Sequence, residues 1–176
     1  MLKEELRFIP FLSHQRIAST VEGLAKKITE DYADTVPVVI GVLKGAALFT
    51  ADLVRRLPME LELDFIQVER YGKYPEPQPT ITIVHDVTFP LKDRDVLIVE
   101  DIVDRGITIK ALKEHIERKG ARSVKVCTLL LREGSPAKGS IEYAGIGVDK
   151  GFVVGYGMDY REKFRNLDAL YIMEEG

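Results

Sequence analysis

Glu100, Asp101 and Asp104 stand within five residues of one another at the end of the apolar run Val96–Val99, and Arg105-Gly106-Ile107-Thr108 follow directly. Ionised carboxylates only accept hydrogen bonds, so clustered acids suit ligand hydroxyls or a divalent cation. The residues after them suit something else. Gly106 lets a backbone approach closely, and Thr108 carries a hydroxyl. The free N–H groups that open a helix there carry positive partial charge, which favours a phosphate. A bare phosphate site would avoid three carboxylates, because like charges repel. The combination fits a ligand that bears both chemistries. Glu100 and Asp101 would accept from two ribose hydroxyls, the helix end would hold the 5-phosphate, and a cation would sit on other phosphates of the same ligand. Acids near a helix N-terminus also act as caps, and for Asp104 alone that reading stands beside the functional one. Capping does not account for the whole constellation.

A second candidate is Leu43-Lys44-Gly45. In open α/β sheets ligands bind beyond the carboxyl ends of the strands, where both candidates fall. Neither is a common nucleotide loop, since the chain has no G-x-x-x-x-G-K-[ST] and no G-x-G-x-x-G after a strand. The strands that must position them are PVVIGVL (37–43), DRDVLIVED (93–101) and VKVCTLLL (124–131). Such near-continuous apolar runs fit a parallel sheet covered on both faces, and Glu100-Asp101 close the second. LELDFIQVER (61–70) and TITIVHDV (80–87) read as two further strands around YGKYPEPQPT, whose three prolines within five residues exclude a regular element. A long polar loop between paired strands reads as a lid.

Ser13 caps a helix with Ile17, Val21, Leu24 and Ile28 on one face. AALFTADLVRRL and ITIKALKEHIERKG read as the next two helices. IEYAGIGV and GFVVGYG are short strands, YREKFRNL a helical turn and ALYIM a closing strand. Strand alternating with helix predicts an α/β fold with a central, mostly parallel sheet flanked by helices.

A chain of 176 residues that is 45% hydrophobic can bury the core of one domain. The net charge of −3 argues against a broad basic face for nucleic acid. Cys127 is the only cysteine, so no intrachain disulfide forms, and VKVCTLLL makes it a small core residue. His14, His85 and His115 lack metal-ligand spacing. Without a charged-then-apolar leader or an apolar run of spanning length, the expectation is a soluble cytoplasmic protein with no membrane or nucleic-acid partner.

V-L-I-V-E-D-I-V-D-x-G-x-T resembles the 5-phosphoribosyl-1-pyrophosphate (PRPP) signature of type I phosphoribosyltransferases. VIGVLKGA (39–46), DFIQVERYG (64–72) and KGFVVGYGMDYREKFRNL (150–167) resemble the pyrophosphate loop, the entry to the mobile loop and the purine-binding tail of the hypoxanthine-guanine members. The similarity runs from about Ile9 to Ile172. It implies a single domain over 1–176, with a core at about 35–145 and a small hood built from about 1–12 and 146–176. It also implies phosphoribosyl transfer from PRPP to N9 of a 6-oxopurine, with Mg2+ as cofactor, in a homodimer or homotetramer.

Residue by residue, the resemblance implies that Glu100 and Asp101 bind the ribose hydroxyls and that Asp104 faces purine N7 and exchanges its proton. Gly106, Ile107 and Thr108 hold the 5-phosphate with backbone and hydroxyl groups, and Arg105 either adds a salt bridge to it or points to solvent while its backbone N–H binds. Lys44 and Gly45, across a non-proline cis peptide at Leu43–Lys44, contact pyrophosphate together with Arg165. Phe152 stacks on the base, Val153 reads its edge with backbone groups, and Arg132 reaches its 6-oxygen. Asp159 approaches the base and the metal, with Glu100 and Asp101 as further metal candidates. Arg70 and Tyr71 belong to the mobile loop.

Each of these residues also has a plainer reading: Phe152 as core, Arg165 with Asp159 as a surface ion pair, Lys44 as an ordinary exposed lysine. Three positions depart from the family pattern. Arg105 stands for threonine, Arg132 for lysine and Arg70 for serine. An arginine fork is not interchangeable with a lysine point charge, so Arg132 bears on the choice among hypoxanthine, guanine and xanthine. The alternative is a non-catalytic PRPP-sensing regulator on the same fold. An adenine or pyrimidine enzyme would leave the FVVGYGMDY tail unexplained.

Overall fold

The computed structural model describes residues 6–69 and 81–175. A six-stranded sheet forms the centre, in the order β4-β3-β2-β5-β6-β7. These are Thr82–His85 (β4), Glu62–Glu69 (β3), Val38–Leu43 (β2), Asp95–Val103 (β5), Ser123–Arg132 (β6) and Tyr143–Val148 (β7). All neighbours run parallel except β3 and β4, which pair antiparallel. The large sheet thus continues past residue 145 to Val148.

Side-chain alternation explains the unbroken apolar runs. Val39, Leu97, Val99, Cys127 and Leu129 face helices α1 (His14–Asp31) and α2 (Ala47–Val54) in one buried cluster. Val38, Ile40, Val96, Ile98 and Val126 face α3 (Ile107–Arg118) in another. Each run is apolar throughout because both faces are covered. The helix after Ser13 starts as expected, with Ser13 Oγ accepting from the Arg16 N–H at 3.2 Å. Cys127 is fully buried, and burial pushes its thiol pKa well up, as for an inert core residue.

A three-stranded antiparallel sheet sits apart in the order β1-β9-β8, made of Leu6–Leu12, Leu170–Glu175 and Phe152–Val154. It is built from both chain ends and carries Phe152 and Val153. No helix among the described residues is long and apolar enough to cross a membrane.

Two expectations need correction. Glu100 and Asp101 do not close their strand. Ile102 and Val103 pair onward with Leu130 and Leu131, because the apolar run of β6 extends the ladder beneath them. YREKFRNL is no helical turn. The Glu162 N–H donates to Asp159 Oδ2 at 2.8 Å, and Tyr160 and Lys163 exchange backbone hydrogen bonds at 3.1 Å. A side-chain acceptor thereby competes with helix formation, and Arg161, Glu162 and Phe164 take positive φ. YGKYPEPQPT, with Tyr71, and the preceding Arg70 lie outside the described residues. Their flanks, β3 and β4, pair Glu69 with Thr82.

Asp86, just after β4, ties this sheet edge to α3. It meets His115 Nε2 at 2.9 Å and Lys119 Nζ at 2.8 Å. Burial pushes its pKa up, but hydrogen bonds from Lys119, His115 and the Val87 N–H outweigh that and leave it at about 2. An unfolded aspartate titrates near ~3.9, so this contribution to stability is complete above that pH and is lost as pH falls through about 2. Asp86→Asn is expected to lower the urea midpoint at pH 7 and to differ less from wild type at pH 3. A gap that stays constant between the two pH values would remove the ion pair as its source.

Candidate active site

A cavity of about 640 Å³ opens beyond the carboxyl ends of β2, β3, β5 and β6. Lys44, Gly45, Glu100, Asp101 and Thr108 line the sheet side, with Arg132 at the end of β6. Phe152, Val153, Asp159 and Arg165 line the opposite wall. Ten residues singled out from the sequence therefore share one cavity although they are spread over five segments of the chain.

The acids are held rigidly. Glu100 is only 8% exposed, and its Oε1 accepts from the Asp101 N–H at 3.1 Å. Asp101 Oδ1 accepts from the Ile102 N–H at 2.6 Å. Burial pushes the Asp101 carboxyl pKa up. The hydrogen bond with Glu100, the Ile102 N–H and the Arg165 charge oppose this without cancelling it.

Leu43–Lys44 is a cis peptide bond, as expected. Gly45, next in the chain, lies against the acids so closely that a Cβ on it would lie 1.9 Å from Asp101 Oδ2. The far side of this loop is equally tight, since a Cβ on Gly157 would lie 2.2 Å from the Gly45 carbonyl oxygen. Only hydrogen atoms fit at either contact.

Arg165 closes the far wall. It donates from Nη1 to the Gly157 carbonyl at 2.8 Å and pairs through Nη2 with Asp159 Oδ1 at 2.8 Å. The Asp159–Arg165 pair is partly buried in the cavity wall, not a surface decoration. Lys44 Nζ reaches across to Glu162 Oε2 at 2.9 Å. Phe152 is 50% exposed and meets the Tyr160 ring edge-on with centroids 5.7 Å apart. It is therefore an open aromatic surface, not core.

Asp104 and the start of α3 sit at the cavity's edge. Gly106 takes φ +75° as it opens the helix, a conformation that favours glycine. The Asp104 carboxylate is 55% exposed and lies 4.0 Å from Arg132 Nε. Arg132 also donates to the Asp149 carbonyl at 3.3 Å. Arg105 is exposed and lines a separate depression beside Lys110 and Lys113. Of the departing arginines, Arg132 alone faces this cavity among the described residues.

Sequence reasoning missed Glu162, Met158 and Ile102 in the cavity wall, and also Ser135, whose hydroxyl donates to the Asp104 carbonyl. Glu162 carried no signal, because its partner Lys44 is 118 residues away.

A mostly parallel sheet with an acid pair and a cis Lys-Gly loop at its strand ends, and a second small sheet presenting an aromatic residue, is the type I phosphoribosyltransferase fold. The model of the phosphoribosyl transferase domain matches residues 11–161. A hypoxanthine-guanine phosphoribosyltransferase of Bacillus subtilis is 37% identical over 175 residues, covering 99% of this chain and 97% of that protein. A solved structure of a hypoxanthine-guanine phosphoribosyltransferase from Bacillus anthracis superposes with a TM-score of 0.86 at 34% identity, covering 93% of this chain and 96% of that one. A hypoxanthine phosphoribosyltransferase from Staphylococcus aureus gives 0.87 at 33% identity, with 94% and 90% covered. The chain belongs to the hypoxanthine-guanine phosphoribosyltransferase family, and it is a transferase.

Gly45→Ala is expected to push the Asp101 carboxylate out of place. Displacement of about 1 Å can cost roughly a hundredfold in rate, so kcat/KM should fall by that order while the protein stays folded. Near-normal kcat/KM would show that the loop yields without disturbing Asp101.

Proposed function

We propose that this enzyme transfers the 5-phosphoribosyl group of PRPP to N9 of hypoxanthine, guanine or both. The bond from the ribose anomeric carbon to the pyrophosphate oxygen breaks, a bond to N9 forms, and the base gives up one proton. The products are a nucleoside 5′-monophosphate and pyrophosphate. One observation carries this reading: an adjacent acid pair, three cations and an open aromatic ring converge on a single cavity.

Glu100 and Asp101 accept from the ribose hydroxyls, which holds the ring as positive charge develops at its anomeric carbon. Thr108 and the N–H groups opening α3 take the 5-phosphate. Lys44 and Arg165 face the departing pyrophosphate, and the exposed face of Phe152 receives the base. Asp104, half-exposed at the cavity's edge, reaches N7 and holds its proton. Arg132 donates to the 6-oxygen, with its fork oriented by the Asp149 carbonyl.

The donor set fits Mg2+ arriving on substrate phosphates. Glu100 and Asp101 offer adjacent carboxylate oxygens, and Asp159 faces the same cavity. Among the described residues no cluster of three or more acidic, His or Cys side chains forms a ready-made cage. Mg2+ characteristically takes one or two carboxylates and leaves its other positions to water and phosphate. When bound, it neutralises charge on the leaving group.

The test is a rate panel with PRPP, Mg2+ and each of hypoxanthine, guanine, xanthine and adenine. Turnover with a 6-oxopurine is expected, and no turnover with any base would overturn the reading in favour of a PRPP sensor. In the same assay, Asp104→Asn should lower kcat by about a hundredfold or more with PRPP affinity nearly intact. Arg132→Lys should change the ratio of rates among the three 6-oxopurines by more than about threefold. A fixed ratio would remove Arg132 from base recognition.

A further inference from the structure

Lys44 and Arg165 stand on opposite walls of the cavity, and one carboxylate joins them. Glu162 Oε2 accepts from Lys44 Nζ at 2.9 Å, and Glu162 Oε1 accepts from Arg165 Nη2 at 3.2 Å. Each oxygen takes one cation, as two oxygens of a diphosphate would. We infer that the Glu162 carboxylate is a built-in occupant of the pyrophosphate position, seated on both cations and displaced when a diphosphate arrives. The inference rests on the transferase reading above.

The bridge is poorly suited to holding the fold together. Its Lys44 and Glu162 side chains are 54% and 67% exposed, and exposed pairs contribute little to stability. Glu162 is anionic at neutral pH, as an ordinary glutamate is, and the hydrogen bond from Lys44 and the Arg165 charge lower its pKa further. Its anchorage divides cleanly. The backbone is fixed by the N–H donated to Asp159 Oδ2, whereas the carboxylate binds only through its exposed end. Rotation of the side chain therefore releases both cations without moving the chain.

Arg165 stays where it is when Glu162 leaves, since Asp159 Oδ1 and the Gly157 carbonyl still hold it at 2.8 Å each. Asp159 is different in kind. It is partly buried and tied through both oxygens to neighbouring groups, so it belongs to the wall. Glu162 thus has two effects of opposite sign. It keeps Lys44 and Arg165 aligned and their charge neutralised in the empty site, and it competes with the anion that must replace it. That competition tunes affinity for PRPP and speeds departure of pyrophosphate.

Titration calorimetry with magnesium pyrophosphate, on wild type and Glu162→Gln, separates this from a structural role. The neutral variant should bind pyrophosphate about three- to tenfold more tightly, with the gap narrowing at high salt. KM for PRPP should fall in the same direction, while affinity for GMP, which lacks the diphosphate, stays unchanged. Glu162→Asp keeps the charge and should remain near wild type. Unchanged or weaker pyrophosphate binding by Glu162→Gln would overturn the proposal, as would a Glu162→Asp variant that behaves like Gln. Loss of both pyrophosphate and GMP affinity would show a loop-holding role and overturn it as well. Wild-type protein that binds neither ligand and turns over no purine would remove the transferase reading beneath it. That result is distinct from normal wild-type binding that is indifferent to the charge.

Discussion

The contact between Gly45 and the Asp101 carboxylate organises the site. With a Cβ only 1.9 Å from the carboxylate oxygen, position 45 admits no side chain, and the Lys44–Gly45 backbone lies directly on the acid pair. The same loop is backed by Gly157, whose carbonyl accepts from Arg165. One line of contacts therefore runs from β5 through the β2 loop into the segment after β8. Each member fixes the next, so the acid pair, Lys44 and Arg165 keep a constant spacing. A transferase needs that constancy, because its rate depends on holding the anomeric carbon between leaving group and nucleophile.

Charge is distributed along this line with the same economy. The buried acids sit on the sheet side, where backbone N–H groups satisfy them. Lys44 shares the sheet side and Arg165 stands on the opposite wall, and two carboxylates of different exposure pair with them. Asp159 is partly buried and doubly held, and Glu162 is exposed and singly anchored. A site for a polyanion is unstable when empty if its cations merely face one another. Partial neutralisation by carboxylates of graded exposure allows the cations to stand close together before substrate comes.

The departing arginines separate by position. Arg132 is the cavity's cation at the end of β6, near Asp104 and steered by a backbone carbonyl. Arg105 turns outward beside Lys110 and Lys113, whereas Thr108 stays on the cavity side. The same chemical departure thus faces the cavity in one case and the outer surface in the other.

Much of this was legible in the chain itself. Unbroken apolar runs specified a sheet covered on both faces, because period-two alternation leaves no polar side when helices lie above and below it. The acid cluster and Lys44-Gly45 were marked out by residue type, and the family resemblance added Arg132, Phe152, Val153, Asp159 and Arg165, so that ten residues of the cavity were named in advance. Local pattern misjudged two places. It ended β5 at the acids, although the ladder to Leu130 and Leu131 carries it on to Val103. It also read a helical turn where the Asp159 side chain captures the Glu162 N–H. What only the tertiary structure decided are the contacts between distant segments: Asp101 on Gly45, Gly157 on the loop behind it, and Glu162 across to Lys44. No spacing in the sequence encodes these. They exist because the fold brings separate stretches of chain together, where the presence or absence of a single Cβ decides how closely the backbones approach.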